Sequence, residues 1–172
     1  HGVVVAVTGR VAGGRGLQTQ LWSRNEDTGG THKWTVVAAH VHQDPPALDT
    51  RVWRVVGDPL VPATPSAPGN RALTGATVAV KDLYAIQGHP VGAGNPTWLR
   101  HATPEPAHAH AVERLLGAGA VIRGIARTDE FAYALAGTNA HHGTPPNPRA
   151  PHRLSGGSSN GPASAVSLGH AS

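Results

Sequence analysis

Between Asp44 and Asn70 the chain carries Pro45, Pro46, Pro59, Pro62, Pro65 and Pro68, and no other feature limits its folding so much. Each proline fixes φ and lacks a backbone N–H, so neither a helix nor an inner strand tolerates such a density. Residues 44–71 are therefore expected to form an extended, Pro-rich linker. Val52-Trp53-Arg54-Val55-Val56 is a short element of undecided type within it. The linker separates a front part, residues 1–43, from a back part, residues 72–172, and the two carry different patterns.

The front part has three β-rich runs, at 3–7, 17–24 and 34–42, parted by glycine-rich turns. Leu17, Thr19 and Leu21 alternate with Gln18, Gln20 and Trp22, which is the period of a strand. An antiparallel meander follows from this spacing, and three strands cannot close a core by themselves.

After Leu73 the pattern changes to strand and helix in alternation. Ala76–Val80 is a short apolar strand. Thr103-Pro104-Glu105 supplies an N-cap, a first-position proline and an early carboxylate, predicting a helix that runs to Leu116 and ends at Gly117. Ala120–Ile125 is a buried strand, and Thr128-Asp129-Glu130 opens a second helix through Leu135 that Gly137 can cap. This order predicts an α/β fold with a parallel or mixed sheet.

Charge and composition exclude several functions. The net charge of +4 is scattered, with no basic run and no aromatic residues interleaved on a basic face, so a nucleic-acid partner is not expected. The chain has no Cys, which removes disulfides, thiolate metal sites and a Cys nucleophile. Val3–Val7 is too short to cross a bilayer and lacks the basic flank of a secretory signal, so no membrane role is read and a cytoplasmic location is the expectation. Twelve histidines invite a metal. However, His108 and His110 point to different sides of the predicted helix, and His141 and His142 are loop neighbours. His40 and His42 share a strand face, where a hydrogen-bonded edge histidine is the simpler account. No metal site is expected.

Two places could carry chemistry. Leu154-Ser155-Gly156-Gly157-Ser158-Ser159-Asn160-Gly161 is a glycine and serine loop that runs into a small-residue helix beginning near Pro162. Its glycines allow a sharp turn, and the helix N-terminus offers N–H groups to developing negative charge. By itself the pattern equally describes a flexible turn, and it lacks the spacing of a phosphate loop. The second place is Val78-Ala79-Val80-Lys81-Asp82-Leu83, which sets a lysine at the end of an apolar strand. Lys33 and Lys81 are the chain's two lysines, so a proton-accepting amine has few candidates. Partial burial would lower the pKa of Lys81 toward that of a useful base, whereas a surface lysine paired with Asp82 is the alternative.

Five segments fall in order: Leu73–Asp82, Gly117–Ala120, Thr128–Ala132, Gly143–Pro148 and Gly156–Ser159. Together they resemble the amidase-signature family. Gly92–Leu99 with Asn139–Pro145 resembles in particular the branch of plant indole-3-acetamide amidases and their inactive relatives in chloroplast protein import. The strands Leu17–Trp22 and Lys33–Val41 resemble the end of a nuclear-transport-factor-like cone domain, an α+β accessory module sometimes joined to bacterial amidases.

The resemblance implies a catalytic triad of a lysine, a serine in a cis peptide and a nucleophilic serine. Lys81 takes the first role and Ser158 the second, with Asp82, Gly156, Gly157 and Ser159 as the supporting loop. It implies hydrolysis of the C–N bond of a small-molecule amide by acyl transfer, with no metal or organic cofactor. It places the nucleophile in a Gly-Gly-Ser segment further along, so residues 72–172 are expected to be a truncated amidase domain and the chain a fragment. Asn160 stands where the family commonly has Gly or Ser, and Asn is the least costly non-glycine choice if that position is left-handed. The competing expectation is an amidase-like scaffold or binding protein without chemistry. Residues up to Ser172 select neither the substrate, whether a simple amide or a urea-derived one such as allophanate, nor the oligomeric state.

The chain His1–Ser172 is expected to hydrolyse no amide, because Lys81 and Ser158 have nothing to relay to. Release of ammonia or arylamine by the purified chain that disappears in Lys81→Ala would overturn this.

Overall fold

The computed structural model of the protein describes residues 5–10, 17–22, 48–64 and 72–172. The chain divides into two units, His1–Ala47 and Leu48–Ser172. In the first, β1 (Val5–Arg10) and β2 (Leu17–Trp22) pair antiparallel, with Val5 opposite Trp22 and Arg10 opposite Leu17. The predicted run at 34–42 lies outside the described residues.

The second unit is built on a mixed three-stranded sheet in the order β3-β5-β4. Strand β3 (Trp53–Val61) runs antiparallel to β5 (Val121–Ala126), while β4 (Thr77–Lys81) runs parallel to it. Among the described residues three helices accompany the sheet: α1 (Pro96–His101), α2 (His110–Gly117) and α3 (Asn160–Ser167). The fold is thus α/β, as the alternation predicts.

The linker expectation is corrected over Trp53–Val61. That stretch is a nine-residue strand of the sheet, because β3 is an edge strand and an edge tolerates a proline. Its pairing with β5 breaks register between Val56 and Val61, the interval that contains Pro59.

Alternation along β4, together with a register shift in β5 between Ile122 and Gly124, feeds a core on each face. Val78 and Val80 of β4 meet Ile122 and Ile125 of β5, Ile86, and Val112 and Leu116 of α2. Val112 and Leu116 are four residues apart and so share one helical stripe. On the other face, Ala79 packs against Val52, Trp53 and Ala126, with Ala165 of α3 and Ala171 completing the cluster. Gly124 permits this closeness, since a Cβ there would come within 3.0 Å of two Trp53 ring carbons.

Two predicted helices change. The first starts at His110 rather than Thr103, and Gly119 (φ 98°) makes the left-handed turn after it instead of Gly117. Glu105 is held extended beside Gln87, its N–H donating to His89 O at 3.1 Å and its carbonyl accepting from Gly88 N at 2.9 Å. Pro106 favours that extended geometry in the residue before it. The second predicted helix is only a 3-10 turn, Glu130–Ala132. Phe131 and Ala132 have φ of 48° and 56°, a left-handed conformation that ends any right-handed helix.

Charged groups lock the β3–β4 end of the sheet. Arg54 and Asp82 form an ion pair at 2.9 Å with side chains 9% and 2% exposed. Asp82 also accepts from Gly92 N at 3.0 Å, and Arg54 donates to Pro90 O at 2.6 Å. Burial raises the Asp82 pKa, and the Arg54 charge pulls it back. Nearby, Arg127 Nη1 donates to His142 Nε2 at 2.9 Å and Arg127 Nε to Thr50 O at 3.0 Å. His142 must be neutral to accept, and burial followed by the Arg127 charge pushes its pKa down to about 4.

Asp82→Ala is expected to lose about 3–5 kcal/mol in denaturant unfolding, because it strands the Arg54 charge in the interior. A double change to Arg54→Met and Asp82→Leu recovers most of that loss. Acid gives the second check. His142 titrates near 6.5 in the unfolded chain and near 4 in the folded one, so between those values the unfolded chain holds the extra proton. Stability is full above that window and falls as pH drops through it. Unfolding midpoints at about pH 7 and about pH 5 should therefore differ more for the wild type than for His142→Gln.

Candidate active site

Strand β4 is apolar from Val78 to Val80 and then delivers Lys81 at the point where the sheet ends. Its amine reaches the loop before α3, and Lys81 Nζ donates to Ser158 Oγ at 2.7 Å. The two residues are 77 positions apart in sequence. Burial lowers the Lys81 pKa, opposed by the Asp129 charge. An amine so placed is more often neutral than a free lysine and can take a hydroxyl proton.

The Ser158 loop is fixed by the chain that leaves β5. The Ser158 carbonyl accepts from Thr128 Oγ1 at 2.7 Å and from Asp129 N at 3.2 Å. Gly157 N donates to Leu135 O at 2.8 Å, so the segment after the 3-10 turn lies along the loop. Gly156 is left-handed, with φ 75°, and the Gly157–Ser158 peptide is cis. Gly157 cannot be replaced without disturbance, because a Cβ there would collide with Asp129 Oδ2.

The supporting residues divide. Gly156 and Gly157 shape the loop as expected from their type. Ser159 caps no backbone group with its hydroxyl. It lines a solvent-open cavity of about 430 Å³ with Lys81, Leu83, Tyr84, Leu115 and Pro162. Asp82 does not join the loop or pair with Lys81; it turns to Arg54. Its part is to anchor the strand end that carries Lys81.

The start of α3 is also corrected. The Gly161 N–H donates to Asn160 Oδ1 at 2.9 Å and to Arg127 O at 3.2 Å, Pro162 has none, and Ala163 N donates to Ser159 O at 3.1 Å. The first turn is largely occupied by the protein itself and offers few donors to a ligand. Asn160 is helical and buried rather than left-handed. Its side chain donates to Asp129 Oδ1 and Gly137 O, both at 3.1 Å.

Thr128 and Asp129, which suit a helix cap by type, instead hold the loop. The usable signal was the segment Thr128–Ala132 among the family-like motifs. The histidines are scattered: His108 accepts from Gln87 N at 3.1 Å, His141 meets Glu130 at 3.0 Å and His142 meets Arg127. Among the described residues no three His, Asp or Glu side chains converge as metal ligands would. His40 and His42 lie outside the described residues.

Known proteins are similar to part of this chain. Amidase 1 of Arabidopsis thaliana is 47% identical over 104 residues, covering 60% of this chain and 24% of that protein. The translocon at the outer membrane of chloroplasts 64 of Pisum sativum is 42% identical over 102 residues, covering 59% and 17% respectively. The structure of allophanate hydrolase from Kluyveromyces lactis superposes with a TM-score of 0.57 at 30% identity, covering 71% of this chain and 21% of that one. The chain thus spans about a quarter or less of the length of these relatives. Residues 63–172 match the Amidase family, and the chain belongs to it.

Proposed function

We propose that this chain supplies the base and the relay serine of an amidase that converts a small carboxamide to an acid and ammonia or an amine. The observation that carries the proposal is the 2.7 Å hydrogen bond between Lys81 Nζ and Ser158 Oγ, in a chain of this family. Neutral Lys81 takes the Ser158 hydroxyl proton while Ser158 takes the proton of a second serine, whose oxygen bonds to the amide carbon. The family resemblance puts that second serine in a further Gly-Gly-Ser segment. N–H groups of the same segment stabilise the oxyanion.

Collapse breaks the C–N bond, and the leaving nitrogen receives the proton back from Lys81 through Ser158. Water then attacks the acyl ester along the same relay and releases the acid. The scheme uses no cofactor.

The similarity to the chloroplast translocon protein supports a second possibility, an amidase-like binding protein. A scaffold has no chemical need to keep an amine and a hydroxyl hydrogen-bonded at a strand end, and this favours the enzyme.

The test is hydrolysis of aryl and alkyl amides by the full-length protein containing these residues. Lys81→Ala and Ser158→Ala should each lower kcat by about a hundredfold or more, the scale of a lost acid–base group. A folded full-length protein inert toward the whole panel would favour the scaffold, and loss in only one variant would break the relay.

A further inference from the structure

Asp129 is a carboxylate with no exposure to solvent, and the amidase scheme gives it no part. Its side-chain partners among the described residues are neutral. Oδ2 accepts from Gly137 N and Oδ1 from Asn160 Nδ2, each at 3.1 Å. Neither is a cation, although a buried carboxylate is usually matched by one. The carboxylate also lies directly under the Gly157–Ser158 peptide, where a Gly157 Cβ would strike Oδ2. Its own N–H holds the Ser158 carbonyl. One residue therefore touches the loop that carries Ser158, the start of α3 through Asn160, and the Leu135–Gly137 segment that lies along the loop.

Among the described residues at this end of the sheet, the cation left for Asp129 is Lys81. Asp82, next to it in the chain, is turned to Arg54 of β3. Arg127, after β5, meets His142 and the backbone of Thr50. Lys81 itself faces the uncharged Ser158. Desolvation favours the neutral amine of Lys81, and the negative charge of Asp129 opposes it, favouring the protonated form. During acyl transfer Lys81 becomes an ammonium each time Ser158 passes it a proton. A fixed negative charge supports that state.

We infer that Asp129 is a positioning residue of the relay, which seats the Ser158 loop against the end of β4 and supplies the countercharge for Lys81 when the amine carries the proton. This rests on the amidase role proposed for Lys81 and Ser158. A merely structural Asp129 would hold the loop but leave the proton affinity of Lys81 untouched, and the two roles separate on that point.

The chain's two lysines make the measurement direct. With lysine isotope-labelled at Cε, Lys81 and Lys33 give separate resonances, and Lys33→Arg identifies which is which. In Asp129→Asn the Lys81 midpoint should fall by about one pH unit or more, the usual effect of an opposite charge. A folded variant with an unmoved midpoint overturns the inference. Should Asp129→Asn not fold, the unaltered protein still decides. The Asp129 carboxyl resonance should step at the Lys81 midpoint and lose that step in Lys81→Met, and a flat trace overturns the inference.

In the full-length enzyme, Asp129→Asn should move the acidic limb of kcat/KM to lower pH by the same amount and lower kcat with little change in KM. A uniform fall with the limb in place would leave only a structural role. An inert wild type would refute the amidase proposal, and the Lys81 midpoint would still judge Asp129.

Discussion

The second unit depends on the hydrogen bonding of β5 along both edges. Val121–Ala126 pairs antiparallel with β3 and parallel with β4. Both apolar clusters draw on it, through Ile122 and Ile125 on one face and Ala126 on the other. Its backbone direction then continues past the sheet. Asp82 N donates to Ala126 O, Arg127 N to Val52 O, Gly161 N to Arg127 O and Asp129 N to Ser158 O. A single run of chain thus ties together the end of β4, the segment before β3, the start of α3 and the serine loop. The distance between Lys81 and Ser158 is set by β5 and the Arg127–Asp129 segment after it, more than by either residue's own neighbours.

Three ionisable groups near that end show how environment assigns roles. Asp82 and Asp129 are both buried carboxylates. Asp82 is met by Arg54, which makes a closed pair with little left over for chemistry. Asp129 is met by an amide and a backbone N–H, so its charge remains directed at its surroundings. Lys81 lies between opposing influences, desolvation lowering its proton affinity and Asp129 raising it. A group placed in this way gives up its proton more readily than a free lysine, whereas a fully paired lysine would hold its proton more tightly.

Much of the back part was legible because its signals were local. The apolar run ending at Lys81, the strand after Ala120 and the small-residue helix after the glycine and serine loop are each short patterns whose period or composition has one simple structural meaning. The failures share a physical cause, which is competition from distant partners. Thr103-Pro104-Glu105 carries good helix-start chemistry, yet Glu105 pairs with the chain at Gln87–His89 instead. Thr128-Asp129-Glu130 is equally well suited to a cap, but Asp129 and Gly137 are drawn into holding the serine loop. Pro59 made its surroundings look like linker, although an edge strand loses nothing that it needs when one N–H is missing.

The sequence by itself determined the α/β class and the family, and it singled out the two residues proposed for chemistry. Each of these rests on residue type and near spacing, which a linear order of residues preserves. Only the tertiary structure decided that Lys81 meets Ser158 at 2.7 Å, that Asp82 belongs to Arg54, and that Asp129 underlies the loop. Those contacts join residues between 28 and 77 positions apart. Nothing local distinguishes a carboxylate that will find a guanidinium from one that will find an amide. The choice is made by which backbone segments pack around β5, and it is written in no single segment.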